Sequence, residues 1–207
     1  MILSESLRCP SCGAPVRIEH PRVRMCVCSY CGSVLWFRGS HLSDTGQRAT
    51  LLEYPSILRI GVQAELDGIS FRVMGVLQYA YRHGVWEEWL LLTPEGRIYW
   101  LEEDEGELTL FRKEHLVAPI PPYPEIRVGD SLSVNGLSFF VVEKRRAIIQ
   151  GAAGQLTFTV TPGTEIAFVD GTARDEVCSI EFYPEEIELC RGKVFSIDKL
   201  HILSSNG

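Results

Sequence analysis

Two pairs of cysteines, Cys9-Pro-Ser-Cys12-Gly13 and Cys28-Ser-Tyr-Cys31-Gly32, carry the clearest chemistry in this sequence. Two residues inside each pair let the chain turn and aim both sulfurs at one ion, and the fifteen residues between the pairs give the spacing of a zinc ribbon. The glycine after each second cysteine suits the left-handed conformation that points backbone N–H groups at thiolates. Structural Zn²⁺ held by Cys9, Cys12, Cys28 and Cys31 is therefore expected. So short a segment has almost no core, so metal binding supplies its folding free energy, on the order of 10–16 kcal/mol. Redox chemistry of the CxxC type is disfavoured, because no βαβ pattern surrounds the pairs. Cys26, separated from Cys31 by four residues rather than two, reads as a small packed side chain. His20 and His41 have no spaced partners and read as surface residues.

Carboxylates offer a second chemistry. Trp86-Glu-Glu-Trp-Leu-Leu-Leu-Thr-Pro-Glu-Gly-Arg-Ile-Tyr-Trp100 reads as a hairpin turning at Thr93–Gly96. A four-residue connection pairs Leu92 with Arg97, Leu91 with Ile98, Leu90 with Tyr99 and Trp89 with Trp100. Alternation then puts Trp89, Leu91, Ile98 and Trp100 on one face and Trp86, Leu90 and Tyr99 on the other. Continuing outward, Glu87 meets Glu102, a pair that would suit acid–base hydrolysis. The run Glu102–Glu105 reads more simply as a solvated turn. Cys178 and Cys190, with His115 or His201 as base, show no spacing that links them into a nucleophilic site.

The elements that position these residues are read as strands throughout, and no long segment carries a helical period. Sliding the chain by 68 residues lays Leu58–Val73 on Ile126–Val141 without a gap. Arg59/Arg127, Gly61/Gly129, Gly68/Gly136, Ser70/Ser138, Phe71/Phe139 and Val73/Val141 coincide. The same offset puts Thr93-Pro94 on Thr161-Pro162, Ile98 on Ile166 and Trp100 on Phe168. Asp67-Gly68 and Asn135-Gly136 read as tight hairpin turns, Arg82-His83-Gly84 and Gly151–Gly154 as the next ones. The organisation is a mainly β chain: a zinc ribbon at 1–38, a polar linker at 39–53, a β unit at 54–117, a Pro-rich linker at 118–125, and a second β unit at 126–203 with an extra hairpin around Arg191-Gly192. Each unit is expected to be a small barrel of SH3-like size.

Composition narrows the function. The 207 residues carry a net charge of −7. Residues 1–48 hold six arginines against three acids, +3, leaving −10 for the remainder. The acidic body argues against wholesale nucleic-acid or anionic-membrane binding, while the basic head leaves a nucleic-acid contact as an alternative. Five of the seven cysteines crowd into residues 9–31, four of them with ligand spacing, which points to a reducing compartment and a cytoplasmic location. No apolar run approaches the ~20 residues of a membrane span.

The CPxCG/CxxCG head, the Gly and Asp-Gly hairpin, the Trp-Glu-Glu-Trp-Leu-Leu pattern and the Gly-Arg-x-x-Trp-Leu strand resemble the bacterial domain-of-unknown-function family DUF4178. Gly154–Val160, Asp170 and Ile187-Glu-Leu189 resemble its downstream half. The resemblance implies an all-β fold behind a zinc ribbon, brings no established activity, and points to gene neighbourhoods of membrane stress and membrane proteins. The reading is a non-enzymatic, zinc-containing protein-binding or scaffold module, reaching a membrane only through a partner. Its contact surface is expected at Trp86, Leu90 and Tyr99. Nucleic-acid contact through the ribbon and a hydrolase using Glu87 and Glu102 are the alternatives.

Overall fold

A computed structural model of the chain describes residues 7–39, 41–82, 84–104 and 106–204. The expected turn residue His83 and the end of the acidic run, Glu105, lie outside them. Among the described residues the protein is mainly β, with two single-turn 3₁₀ segments and no helix long and apolar enough to cross a membrane. The head contains β1 (Leu7–Arg8), β2 (Pro15–Val16), β3 (Met25–Val27), β4 (Ser33–Arg38) and β5 (His41–Arg48). β5 corrects the expected linker. Polar and poor in branched residues, it nevertheless pairs along β4, where Thr45 Oγ1 donates to the Val34 carbonyl and secures the strand.

The body divides into two sets of five strands. The first is β6 (Gln63–Leu66), β7 (Ile69–Tyr81), β8 (Gly84–Leu92), β9 (Ile98–Asp104) and β10 (Glu107–Glu114). The second is β11 (Ser131–Val134), β12 (Leu137–Leu156), β13 (Glu165–Ala173), β14 (Glu176–Phe182) and β15 (Ile187–Ser196), after which β16 (Leu200–Ser204) returns to pair with β6. Within each set the strands meander in sequence order. Two pairings join the sets, β10 to β15 and β7 to β12. The result is not two barrels. Four strands from each half close one antiparallel ring, β7-β8-β9-β10-β15-β14-β13-β12. The extra length of β12, twenty residues, permits this: it pairs with β11 and β13, then β7, and at Gln155 and Leu156 with β3 of the ribbon.

Three cores follow. One apolar cluster, including Leu77, Tyr79, Leu90, Trp100, Phe111, Ile149, Ile166 and Phe168, is fed by strands all round the ring and fills its interior. Outside it, each half keeps a smaller core, around Phe71, Leu91 and Leu101 in the first and Phe139, Val169 and Ile180 in the second. The ribbon adds Met25 and Val34 to the interior cluster, and its His20 and Val23 face Met74, Leu92 and Ile98. One end of the ring is thus stopped by the ribbon.

The two halves repeat one local design. Asp67-Gly68 and Asn135-Gly136 both turn with positive φ at each residue. Gly61 N–H donates to the Val73 carbonyl and Gly129 N–H to that of Val141, each at 2.9 Å. β7 bulges between Val73 and Gly75, and β12 between Val141 and Glu143. Beyond the bulges the constant offset ends. Leu90 lies opposite Gly75 and Asp170 opposite Glu143, so β13 is the counterpart of β8. The Thr93 turn joins β8 to β9, whereas Thr161 lies between β12 and β13, so those two turns are not equivalent.

Candidate functional site

The ribbon brings its four paired cysteines together. Cys9 Sγ is 3.7 Å from Cys31 Sγ, Cys12 Sγ is 3.7 Å from Cys28 Sγ, and all four sulfurs lie within 4.8 Å of one another. A tetrahedron with metal–sulfur bonds of about 2.3 Å has sulfur–sulfur edges of about 3.8 Å, so the constellation fits a tetrathiolate metal ion. Both knuckles have the same backbone: Gly13 N–H donates to the Cys9 carbonyl and Gly32 N–H to that of Cys28, each at 2.8 Å, with both glycines at positive φ. Hydrogen bonding from Ser33 pulls the Cys31 thiol down to about 6. Cys12 is pushed up to about 12: a backbone hydrogen bond at Ala14 works to lower it, but desolvation and its sister thiols prevail. Cys26 lies outside the constellation, buried beside Leu35, where desolvation raises its thiol to about 12. His20 Nδ1 accepts from the Arg22 N–H, and the basic side chains Arg8 and Arg48 donate to ribbon carbonyls at Gly13 and Cys31.

The opposite end of the ring opens on a cavity of about 80 Å³. Its position follows from register. Thr93 N–H donates to the Arg97 carbonyl and Thr93 Oγ1 accepts from Arg97 N–H, so five residues, not four, connect β8 to β9. Leu92 therefore pairs with Ile98, Leu91 with Tyr99, Leu90 with Trp100, Glu88 with Glu102 and Glu87 with Glu103. A slip of one residue moves every side chain of β9 to the other face. The expected Glu87–Glu102 pair is not formed: Glu87 faces outward and accepts from Gln78 Nε2 at 2.9 Å, while Glu88 and Glu102 share the interior.

The expected Trp86, Leu90 and Tyr99 patch is likewise divided. Trp86 and Leu90 belong to the interior cluster, and Tyr99 packs on the outer core of the first half. Trp86 stacks on Tyr79 at 4.8 Å and meets the edge of Phe168, from the second half, at 5.4 Å. The other half covers it.

Among the described residues five carboxylates line the cavity, Glu88, Glu102, Glu143, Asp170 and Glu181, with one guanidinium, Arg145, which pairs with Glu143 at 2.5 Å. By strand pairing Glu102 and Glu181 occupy equivalent positions in the two halves. Burial, reinforced by neighbouring carboxylates, holds Glu88 well above the ordinary range and raises Asp170 to about 7. Burial raises Glu181 too, although Lys113 opposes it. Tyr183 OH donates to Glu181 Oε2 at 2.6 Å and lies 2.6 Å from Tyr79 OH; Cys190 Sγ donates to Glu181 Oε1. Lys113 lies over the rings of Trp100 and Phe158, 4.6 and 4.3 Å from their centroids, and is ion-paired to Glu188. Burial alone would lower the Lys113 ammonium, but Glu181 and Glu188 keep it above its usual range.

Cys178 and Cys190 are both buried, with thiols raised by desolvation, and point to opposite sides of the sheet, Cys178 into the outer core and Cys190 into the ring. Neither has the depressed pKa of an activated nucleophile. Sequence reasoning missed Glu181, Asp170 and Lys113. Period-two alternation held a usable signal: in Ser179-Ile-Glu-Phe182, an acid sits on the face opposite Ile180, a core residue.

The chain belongs to the DUF4178 family: the model of this domain of unknown function matches residues 59–196, both halves of the ring. No curated protein and no solved structure matches the chain.

Proposed function

We propose that this member of the DUF4178 family is a non-enzymatic binding module, in which a structural Zn²⁺ braces one end of a β-ring and the other end receives a ligand. The carrying observation is the asymmetry of the ring: the Cys9/Cys12/Cys28/Cys31 ribbon plugs one end, while the other opens on a cavity lined by ionisable groups from both halves. Four thiolates, with no fifth ligand among the described residues, suit a closed metal centre whose chemistry is to hold the ribbon together. Free thiolate ligands suit a reducing compartment. Protein purified without chelator should contain one zinc per chain, and stripping it should lower Tm by on the order of 10 °C or more, because the ribbon's own core is small. Metal-free protein, or a Tm indifferent to stripping, would overturn the role given to the ion.

A protein partner is the second reading. It is supported by a groove of about 650 Å³ between β4 and the loops after β12 and β14, with Trp36, Phe158 and Tyr183 as aromatic walls and Arg24, Arg38, Glu185 and Glu186 at its rim. A photo-cross-linker at position 185 should capture one discrete species in the native host, and Trp36→Ala should abolish capture. Capture unaffected by that substitution would place the contact elsewhere.

A further inference from the structure

The two halves treat their outermost strands differently. β6 and β11 are counterparts, each the first strand of its half and each paired on one side, in the same register, by the long strand that follows it. On its other side β6 holds β16, whereas among the described residues no strand lies against the other side of β11. Proline explains the difference. The chain leaving β15 runs on into β16, but the chain leaving β10 carries Pro119, Pro121 and Pro122, which have no N–H to give a ladder. That chain is tied instead to the end of the hairpin, where the Asn135 side chain accepts from Val117 N–H at 2.9 Å and donates to the His115 carbonyl at 2.8 Å.

Hydrogen-bond direction shows what the free edge offers. Val141 donates to the Asp130 carbonyl and accepts from Gly129 N–H, each at 2.9 Å. Alternation then turns Leu132 toward Phe139, and turns the N–H and C=O of Ser131 and Ser133 away from β12. Both serines are exposed, and among the described residues no backbone group bonds to them on that side. An edge with neither charge nor proline is unprotected against pairing; β5, the outer strand of the ribbon, by contrast carries Asp44 and Arg48. The two ends of the β11 edge are apolar. Val117, tied to Asn135, is 79% exposed, and Val128, just before β11, is 60% exposed, the highest values of any large aliphatic side chain described.

We infer that β11 pairs with β11 of a second copy of this chain, antiparallel about a two-fold axis at Leu132. The register is self-complementary. With Leu132 opposite Leu132, Ser131 of each copy exchanges both backbone hydrogen bonds with Ser133 of the other, so every outward group of β11 is satisfied. The antiparallel course also carries Val128 of each copy to the end where the other holds Val117. A second copy suits this edge because serine backbone and flanking valines are uncharged and each meets its own match. So short a contact gives a weak, concentration-dependent dimer.

Sedimentation equilibrium of the full-length, zinc-loaded protein from about 1 to 300 µM tests this. Expected is a reversible rise from the 23.3 kDa chain to twice that mass. Ser133→Pro removes an outward donor that the ladder with β12 does not use; it should raise the dissociation constant roughly tenfold or more and leave the urea midpoint nearly unchanged. Val128→Lys and Val117→Glu should each weaken the dimer several-fold at low salt, and the double variant should recover it, because each new cation then meets a new anion of the other copy. Should Ser133→Pro lower the urea midpoint, the valine variants decide, since both side chains are exposed and lie outside the ladder. A mass of 23.3 kDa at every concentration would overturn the inference. A dimer indifferent to all of these substitutions would lie on another surface, such as β16, and a double variant no tighter than the single ones would overturn the register.

Discussion

Asp170 shows how the cavity stores free energy against folding. Its carboxyl is raised to about 7, first by burial and then by Glu143 and Glu181, against an unfolded value near 4. As pH rises, the unfolded chain gives up this proton before the folded one does, so stability is lost between about pH 4 and pH 7 and stays low above that. Glu88 and Glu181, raised for the same reason, act in the same direction. Asp170→Asn removes one such ionisation. It should stabilise the protein at pH 7.5 by about 2 kcal/mol, after discounting for water in the open mouth, which is a Tm rise of about 5 °C. The gain should vanish near pH 4, as thermal melts across that range would show; an equal gain at both pH values would mean that Asp170 is not held protonated by folding. The cluster of Cys9, Cys12, Cys28 and Cys31 was legible in the sequence because each pair is local. The cavity acids were not, because Glu181, Asp170 and Glu88 come from three strands whose proximity depends on register and ring closure.

At the scale of elements, the seam between β7 and β12 is the critical joint. Gly75 pairs with Gly154 there, and a Cβ on Gly75 would lie 2.4 Å from the Gln155 carbonyl oxygen and 2.9 Å from that of Ala153, both backbone atoms that cannot swing aside. Gly75→Ala should therefore cost about 3 kcal/mol, seen as a lower urea midpoint, and should loosen the ribbon docked on the same stretch of β12. An unchanged midpoint would mean that the two strands do not approach so closely. The existence of the β8–β9 hairpin was readable from its turn residues and alternation. Its register was not: Thr93 has a side chain that closes the turn on Arg97, and one added residue in the connection exchanges the two faces of β9. β5 escaped for the opposite reason, since its polar residues carry no strand pattern and its pairing is supplied by β4.

The whole molecule is an approximate two-fold arrangement. The pair Lys113/Cys190 on β10 and β15 has Phe111/Gly192 as its counterpart, and Ala80/Ile148 marks the corresponding crossing of β7 with β12. The two hairpins were visible as matched residues, and their turns share positive φ at both residues and the same glycine hydrogen bond. What a local repeat cannot report is whether its copies close upon themselves or upon each other. Here each half presents one face to the other, and the interior core, the acidic cavity and the ribbon's docking strand exist only when both are present. The central claim is thus that one ring is shared. The most direct measurement is the amide NMR spectrum of two complementary fragments, residues 1–117 and 118–207, recorded separately and then mixed. A shared ring predicts poorly dispersed spectra for each fragment alone and native-like dispersion on mixing. A fragment 1–117 that is well dispersed by itself and unchanged by its complement would contradict it.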